Sequence, residues 1–189
     1  MLLDLTYYVS ANSEVMKWAK SQDNKHIAMG HVGTHLYTYE KISIPLEYFK
    51  SRGIIFDVRN IKEVGINDID LSLIKENDFV LFYTAQIEKY TYGSKEYFND
   101  YSTELSNELI NTLISKKIRF IGIDNAGIRN HNEHEKADRL CEKNGIYVIE
   151  NLCNLNKLNN NKDFILYTNW FDDDEMTGLR CKVISEFSD

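Results

Sequence analysis

Asn77-Asp78-Phe79-Val80-Leu81-Phe82-Tyr83 is followed by two further short apolar runs, Ile118-Arg119-Phe120-Ile121-Gly122-Ile123 and Ile146-Tyr147-Val148-Ile149-Glu150. Each is rich in Val, Ile, Phe and Tyr and has the length of a buried strand. Between the first two, Glu104 to Ser115 places Leu105, Leu109, Thr112 and Leu113 on one helical face. Between the second and third, His134 to Lys143 carries Ala137, Leu140 and Cys141 at helical spacing, and Asn144-Gly145 supplies a stop signal. Strand, helix, strand, helix, strand over residues 79 to 150 predicts an α/β fold.

Working outward, the same apolar signature recurs at Leu2 to Val9, Ile54 to Val58, Phe164 to Tyr167 and Cys181 to Ile184. Strands at both ends of the chain predict a mixed sheet, not a simple doubly wound one. There is one proline, Pro45, and no linker-like composition, with only a short polar loop at Asn159 to Asn161. A single domain spanning 1–189 is expected.

Composition narrows the function. With 43% hydrophobic residues in 189, the chain can bury one sizeable core. A net charge of −7 and a pI near 5.3 leave no basic excess for phosphates, so nucleic acid and anionic membrane are poor partners and a small-molecule substrate fits better. Cys141, Cys153 and Cys181 are odd in number and widely spaced, which reads as buried free thiols in a reducing compartment. The start Met-Leu-Leu-Asp-Leu-Thr has no signal-peptide pattern, and no run approaches the roughly 20 apolar residues of a membrane helix. A cytoplasmic protein is expected.

His31-Val32-Gly33-Thr34-His35 is the densest ligand-type cluster. On an ideal strand the two imidazoles would share a face but lie about 13 Å apart, too far for one ion. A shared metal needs a bend, which Gly33 can supply. Imidazole nitrogens suit zinc or manganese, and a carboxylate would complete the set; the same histidines also read as ordinary hydrogen-bonded residues. Glu150 ends an apolar strand, so it either points into a cleft or caps a strand at the surface. Asp138 lies mid-helix, one turn after His134, and the two share a face that is either functional or solvated. Asp124 ends a strand before a glycine-containing loop and reads equally as a site residue or as the cap of a turn.

These residues resemble the signature of the kynurenine formamidase/cyclase family of metal-dependent hydrolases, H-x-G-T-H-x-D-x-P-x-H, in the run His31-Val-Gly-Thr-His35. Other fragments agree in order: Asp4-Leu5-Thr6, Asn77 to Leu81 with Thr84 at a G-D-x-V-L-x-x-T-G position, Ile121-Gly122-Ile123-Asp124, and Val148 to Leu152. The resemblance implies an α/β fold with a mixed β-sheet curled toward a barrel and flanking helices, and a homodimer or homotetramer. It also implies hydrolysis of an amide or cyclic C–N bond by metal-activated water, with His31, His35 and Glu150 matching metal ligands. Four positions depart from the pattern. The bridging aspartate falls on Tyr37, the proline on Tyr39, the acid/base histidine on Lys41 and the later histidine on Asp138.

A phenol with a pKa near 10 is neutral at pH 7 and cannot bridge two cations, so one divalent ion, zinc or manganese, is expected rather than two. His31, His35, Asp138 and Glu150 are its candidate ligands. Lys41 and His134 are the candidate catalytic groups, although Lys41 also reads as a solvated lysine and His134 can equally replace the missing ligand. Tyr37, Tyr39 and Trp170, with Phe171, would line an aromatic pocket for a planar substrate, or else belong to the core. The alternative is a family member without activity that binds a small ligand or a protein partner.

Overall fold

The computed structural model describes residues 1–41, 43–98, 103–158 and 164–187. The loop expected at Asn159 to Asn161 lies outside them. In chain order the elements are β1 (Leu2–Asp4), α1 (Glu14–Ser21), α2 (Lys25–Gly30), β2 (His35–Tyr37), β3 (Lys50–Asp57), β4 (Glu63–Val64) and β5 (Phe79–Tyr83). There follow α3 (Gln86–Lys89), β6 (Glu104–Leu105), α4 (Asn107–Ser115), β7 (Phe120–Ile123), α5 (His134–Lys143), β8 (Tyr147–Glu150), β9 (Phe164–Asn169), β10 (Gly178–Arg180) and β11 (Lys182–Phe187).

The three runs that set the fold class are the central strands. β3, β5, β7 and β8 pair in parallel, and antiparallel strands flank them to complete the order β1-β11-β9-β3-β5-β7-β8-β2-β10. Side chains alternate across this sheet. Val80, Phe82, Ile121, Ile123 and Val148 face α4 and α5, whereas Phe79, Leu81, Phe120, Tyr147 and Ile149 face the opposite core with Leu166 and Val183. Both faces are covered, which is why the runs are apolar throughout and not alternating.

The sheet is curled. β10 stands at one end of the strand order and β11 is next to the other end, yet Cys181 alone separates them in sequence. The two ends must therefore approach each other. The segment after β1 makes the same closure: Cys153 N–H donates to Leu5 O at 2.9 Å, and Thr34 N–H donates to Tyr7 O at 3.3 Å. The mixed sheet curled toward a barrel, with helices outside, is as expected.

Boundaries differ in several places; β3 begins at Lys50 rather than Ile54, and β11 runs to Phe187 rather than Ile184. Helix α4 begins at Asn107, not at Glu104, because the Ser106 hydroxyl caps it by accepting from Leu109 N–H while Glu104 and Leu105 pair with Glu63 and Val64 as strand. The first strand stops at Asp4, with only a single bridge from Thr6 to Leu152 beyond it. Helix α5 occupies His134 to Lys143 as expected, and Gly145 takes a φ of +74° just past its end. Cys141 and Cys181 are buried free thiols, whereas Cys153 is half-buried. Among the described residues no helix is long and apolar enough to cross a membrane.

Candidate metal centre

The site forms where the N-terminal turn of α5 meets β2 and β8. In the antiparallel pairing of β2 with β8, His35 stands opposite Glu150, and the period-2 alternation puts Tyr37 on the same face as His35. From α5, His134 and Asp138 point at that face from successive turns. His31 arrives differently: it is the C-terminal cap of α2, and the chain then turns at Gly33, whose φ is +76°. A Cβ there would lie 2.7 Å from Tyr7 O, so glycine is required both by conformation and by space.

Buried hydrogen bonds fix this bend. Gly33 N–H donates to the Tyr92 hydroxyl at 2.9 Å, Thr34 Oγ1 donates to Asn151 O at 2.7 Å, and Asn151 Nδ2 donates to Gly33 O at 3.1 Å. The bend brings His31 Nδ1 to 3.3 Å from His35 Nε2, in place of the 13 Å separation of a straight strand. The outer nitrogens are also engaged: His31 Nε2 lies 2.8 Å from Thr177 Oγ1, and His35 Nδ1–H donates to Gly33 O at 2.9 Å.

The second group lies beyond Tyr37. His134 Nε2 is 2.9 Å from the Tyr37 hydroxyl, 3.1 Å from Asp138 Oδ2 and 3.2 Å from Glu150 Oε1. One N–H can point at only one of these acceptors. Two buried carboxylates thus share one imidazole, and no other group donates to either oxygen of Asp138 or to Oε1 of Glu150, an arrangement that a further cation would relieve. Among the described residues, His134, Asp138 and Glu150 each bring a ligand atom within 4.8 Å of the other two, and no other His, Cys, Asp or Glu trio does so. The donor set therefore fits a divalent ion.

Burial sets the charge states. It lowers the His31 imidazole to about 3, with His35, His134 and Lys41 adding to the effect, and it lowers His35 against the pull of Glu150. Burial also works against a charged His134, but the Glu150 charge and the contacts to Asp138 and Glu150 prevail and push it up to about 11. Burial raises the Asp138 carboxyl in spite of His134, and holds Tyr37 well above the ordinary phenol range.

A cavity of about 930 Å³ opens onto this floor. His31, His35, Tyr37, His134 and Glu150 line it, and Val15, Trp18, Tyr92 and Phe98 form its walls. Trp18 and Phe98 are exposed at its mouth. Tyr39 and Trp170 do not line it: Tyr39 stacks behind Tyr37 at 5.3 Å and carries the Arg139 guanidinium on its ring, while Trp170 packs against the inner core. Lys41 is exposed and outside the cavity, and Phe171 is 82% exposed. Asp124 is a cap: its carboxylate accepts from Thr84 N–H, Thr84 Oγ1 and Ala85 N–H. The residues that sequence reasoning did not reach carry no motif: Trp18 comes to the site on α1, and Tyr92, Phe98 and Thr177 come through loops.

A curled mixed sheet with an imidazole–carboxylate cluster at the floor of a cavity is a cyclase-like fold. The chain belongs to the Cyclase family, described as "Putative cyclase", whose model matches residues 3–129. Among solved structures it is similar to isatin hydrolase A from Labrenzia aggregata bound to benzyl benzoate, at 19% identity and TM-score 0.75, covering 98% of this chain and 93% of that one. It is also similar to a potential metal-dependent hydrolase with cyclase activity, at 20% identity and TM-score 0.70, covering 98% and 96%. A predicted metal-dependent hydrolase from Bacillus stearothermophilus matches at 19% identity and TM-score 0.65, covering 98% and 97%. No curated protein matches the sequence.

Proposed function

We propose that the protein is a metal-dependent hydrolase that opens an amide or cyclic C–N bond of a small molecule. The observation that supports this is the pair of buried carboxylates, Asp138 and Glu150, that share the single imidazole of His134 at the floor of a 930 Å³ cavity. The donors that would hold one zinc or manganese ion come from His31, His35, His134, Asp138 and Glu150. Such an ion lowers the pKa of a bound water and polarises a carbonyl oxygen. The chain's own residues do the rest. Tyr37 orients Glu150 through its hydroxyl, at 3.1 Å from Oε2. Trp18, Tyr92 and Phe98 offer aromatic faces to a planar substrate. The homodimer or homotetramer implied by the family resemblance is part of the same proposal, with the exposed Trp18 and Phe98 as the surface a second copy would cover.

The test is elemental analysis of protein purified without chelators or a histidine tag, followed by a screen of N-acyl arylamines and cyclic amides with and without added ion. About one ion per chain and ion-dependent hydrolysis are expected. A second reading, a ligand-binding protein without activity, is favoured by Tyr37, whose phenol already engages both His134 and Glu150. Metal-free protein that stays metal-free when supplemented, yet binds such ligands, would establish that reading instead.

A further inference from the structure

His31 and His35 differ in what their outer nitrogens touch. His35 Nδ1 lies 2.9 Å from the Gly33 carbonyl oxygen, and a carbonyl only accepts, so that nitrogen carries a proton. Burial lowers both imidazoles below their ordinary range, so each ring has one N–H and one lone pair at pH 7. The lone pair of His35 is therefore on Nε2, and its 3.3 Å contact with His31 Nδ1 makes His31 the donor. His31 Nε2 is then an acceptor, and the hydroxyl 2.8 Å from it, Thr177 Oγ1, is its donor. The hydrogen bonds run in one direction, from Thr177 through His31 and His35 to Gly33 O.

Backbone packing holds Thr177 in this place. The residue immediately precedes β10, and Thr38 N–H donates to its carbonyl oxygen at 3.0 Å, extending the pairing of β10 with β2. At Gly178, the next residue, a Cβ would lie 2.7 Å from His31 Nδ1, so the imidazole rests against the β10 backbone. A Cβ on Gly30, just before His31, would lie 2.2 Å from Gly178 O. Two glycines thus let α2 and β10 approach until the imidazole reaches the hydroxyl.

To serve as ligands of one ion, the two imidazoles have to offer the nitrogens that face each other, since atoms about 2 Å from a tetrahedral centre lie roughly 3.3 Å apart. His35 Nε2 is already bare. His31 Nδ1 is not: its proton has to move to Nε2, which turns that nitrogen from acceptor into donor. A hydroxyl meets both demands, because it donates and accepts and its proton rotates. We propose that Thr177 is a positioning residue that governs the tautomer of His31, donating to Nε2 in the metal-free chain and accepting from Nε2–H when Nδ1 serves as a ligand. One proton leaves Nδ1 and one arrives at Nε2, so the charge of His31 does not change. The acceptor half of the proposal rests on the metal-dependent reading; the donor half holds for the metal-free protein alone.

Two measurements test this role, neither of them through activity. Long-range ¹H–¹⁵N correlation on the full chain reads the tautomer, with the His31 ring signals assigned by through-bond correlation to its backbone. A proton on Nδ1 is expected in the metal-free chain, and on Nε2 once Zn²⁺ is added. A proton on Nε2 in the metal-free chain, or one that stays on Nδ1 in the zinc-loaded chain, would overturn the proposal. Titration calorimetry with Zn²⁺ on Thr177→Val and Thr177→Ser gives the second readout. A hydrogen bond donated by a ligating imidazole is charge-assisted and one accepted by a free imidazole is not, so loss of the hydroxyl falls harder on the loaded state. Thr177→Val, which keeps the shape, is expected to bind about 10-fold more weakly, and Thr177→Ser within about 3-fold of the parent. Equal affinity in Thr177→Val, or no recovery in Thr177→Ser, would overturn the role of the hydroxyl and leave the hydrolase reading standing. An unsubstituted chain that binds neither zinc nor manganese would remove that reading together with the acceptor role. The metal-free spectrum needs no variant, so it decides the donor role even if Thr177→Val does not fold.

Discussion

The Tyr37 hydroxyl donates to Glu150 Oε2 at 3.1 Å and lies 2.9 Å from His134 Nε2, so a neutral phenol joins the two sides of the site. It stands where the family signature has an aspartate, and its ring fills the space between the histidine pair and the carboxylates. Tyr37→Phe keeps the ring but leaves Glu150 Oε2 and the His134 N–H without that partner in a buried site. Loss of about 1–3 kcal/mol of stability is expected for the metal-free protein, read from urea denaturation. Tyr37→Asp should do the reverse for metal: a carboxylate between His35 and Glu150 supplies the missing bridge, and the bound zinc should rise above that of the unsubstituted chain by elemental analysis. No rise would mean that position 37 does not occupy the bridging place.

The protonation of the site gives the metal-free protein a stability that depends on pH in two opposite senses. His31 is held at about 3 when folded, against an ordinary 6.5, so as pH falls below 6.5 the unfolded chain takes up a proton that the folded chain refuses. Stability is lost on that side. His134 is held at about 11, so its stabilisation is complete below 6.5 and is lost as pH rises from 6.5 toward 11. Urea midpoints between pH 4 and 10 should therefore fall on both sides of neutrality. The difference between the parent and His31→Asn should change only on the acid side, and that between the parent and His134→Gln only on the alkaline side. A flat difference curve for either variant would refute the charge state assigned to that histidine.

The same proton bears on metal binding. His134 must give up its Nε2 proton to become a ligand, so Zn²⁺ affinity should increase with pH across the neutral range. Calorimetry in buffers of different ionisation enthalpy should show about one proton released per ion bound at pH 7.5. Binding without proton release would mean that the imidazole is already neutral, or is not a ligand.

How much of this was legible in the sequence depends on where the information lies. The parallel core was readable because Phe79 to Tyr83, Phe120 to Ile123 and Tyr147 to Glu150 are buried on both faces, and continuous apolar runs leave little else they can be. Helix α5 was readable to the residue, because its stop at Asn144-Gly145 is local. Helices α1 and α2 were not, since eight and six residues hold too little periodicity, although Ser13 and Asn24 cap them. At the site, strand geometry gave only that His31 and His35 could meet across a bend, which Gly33 can supply. That Tyr39 would lie behind Tyr37, and Trp170 in the inner core, did not follow, because alternation gives a face but not what covers it. The cavity walls come from Trp18, Tyr92 and Phe98, which only the tertiary path of the chain brings to His31.

Gly33 offers a direct test of the bend. Alanine would have to adopt a φ of +76° with its Cβ 2.7 Å from a backbone oxygen, and the Tyr7 carbonyl cannot move without breaking its bond from Thr34 N–H. Gly33→Ala should cost more than about 1 kcal/mol of stability by chemical denaturation. It should also separate His31 from His35, visible as a changed pattern of imidazole ¹⁵N shifts. A variant as stable as the parent would show that the left-handed turn is not required.

Asp124 separates structural from functional carboxylates. It is 1% exposed, and burial raises its carboxyl to about 7 even though Thr84 and Ala85 donate to it. Those bonds hold the turn at Ala85, whose φ is +62°, ahead of α3. Asp124→Ala removes the acceptor for two backbone amides and one hydroxyl, so a loss of roughly 2–4 kcal/mol is expected. Because the carboxylate serves the turn and does not reach the His134–Asp138–Glu150 cluster, Zn²⁺ affinity of the folded variant should stay within a few-fold of the parent. A stable Asp124→Ala protein that had lost its ion would move Asp124 from the scaffold into the metal centre, and the ligand assignment would have to be redrawn around it.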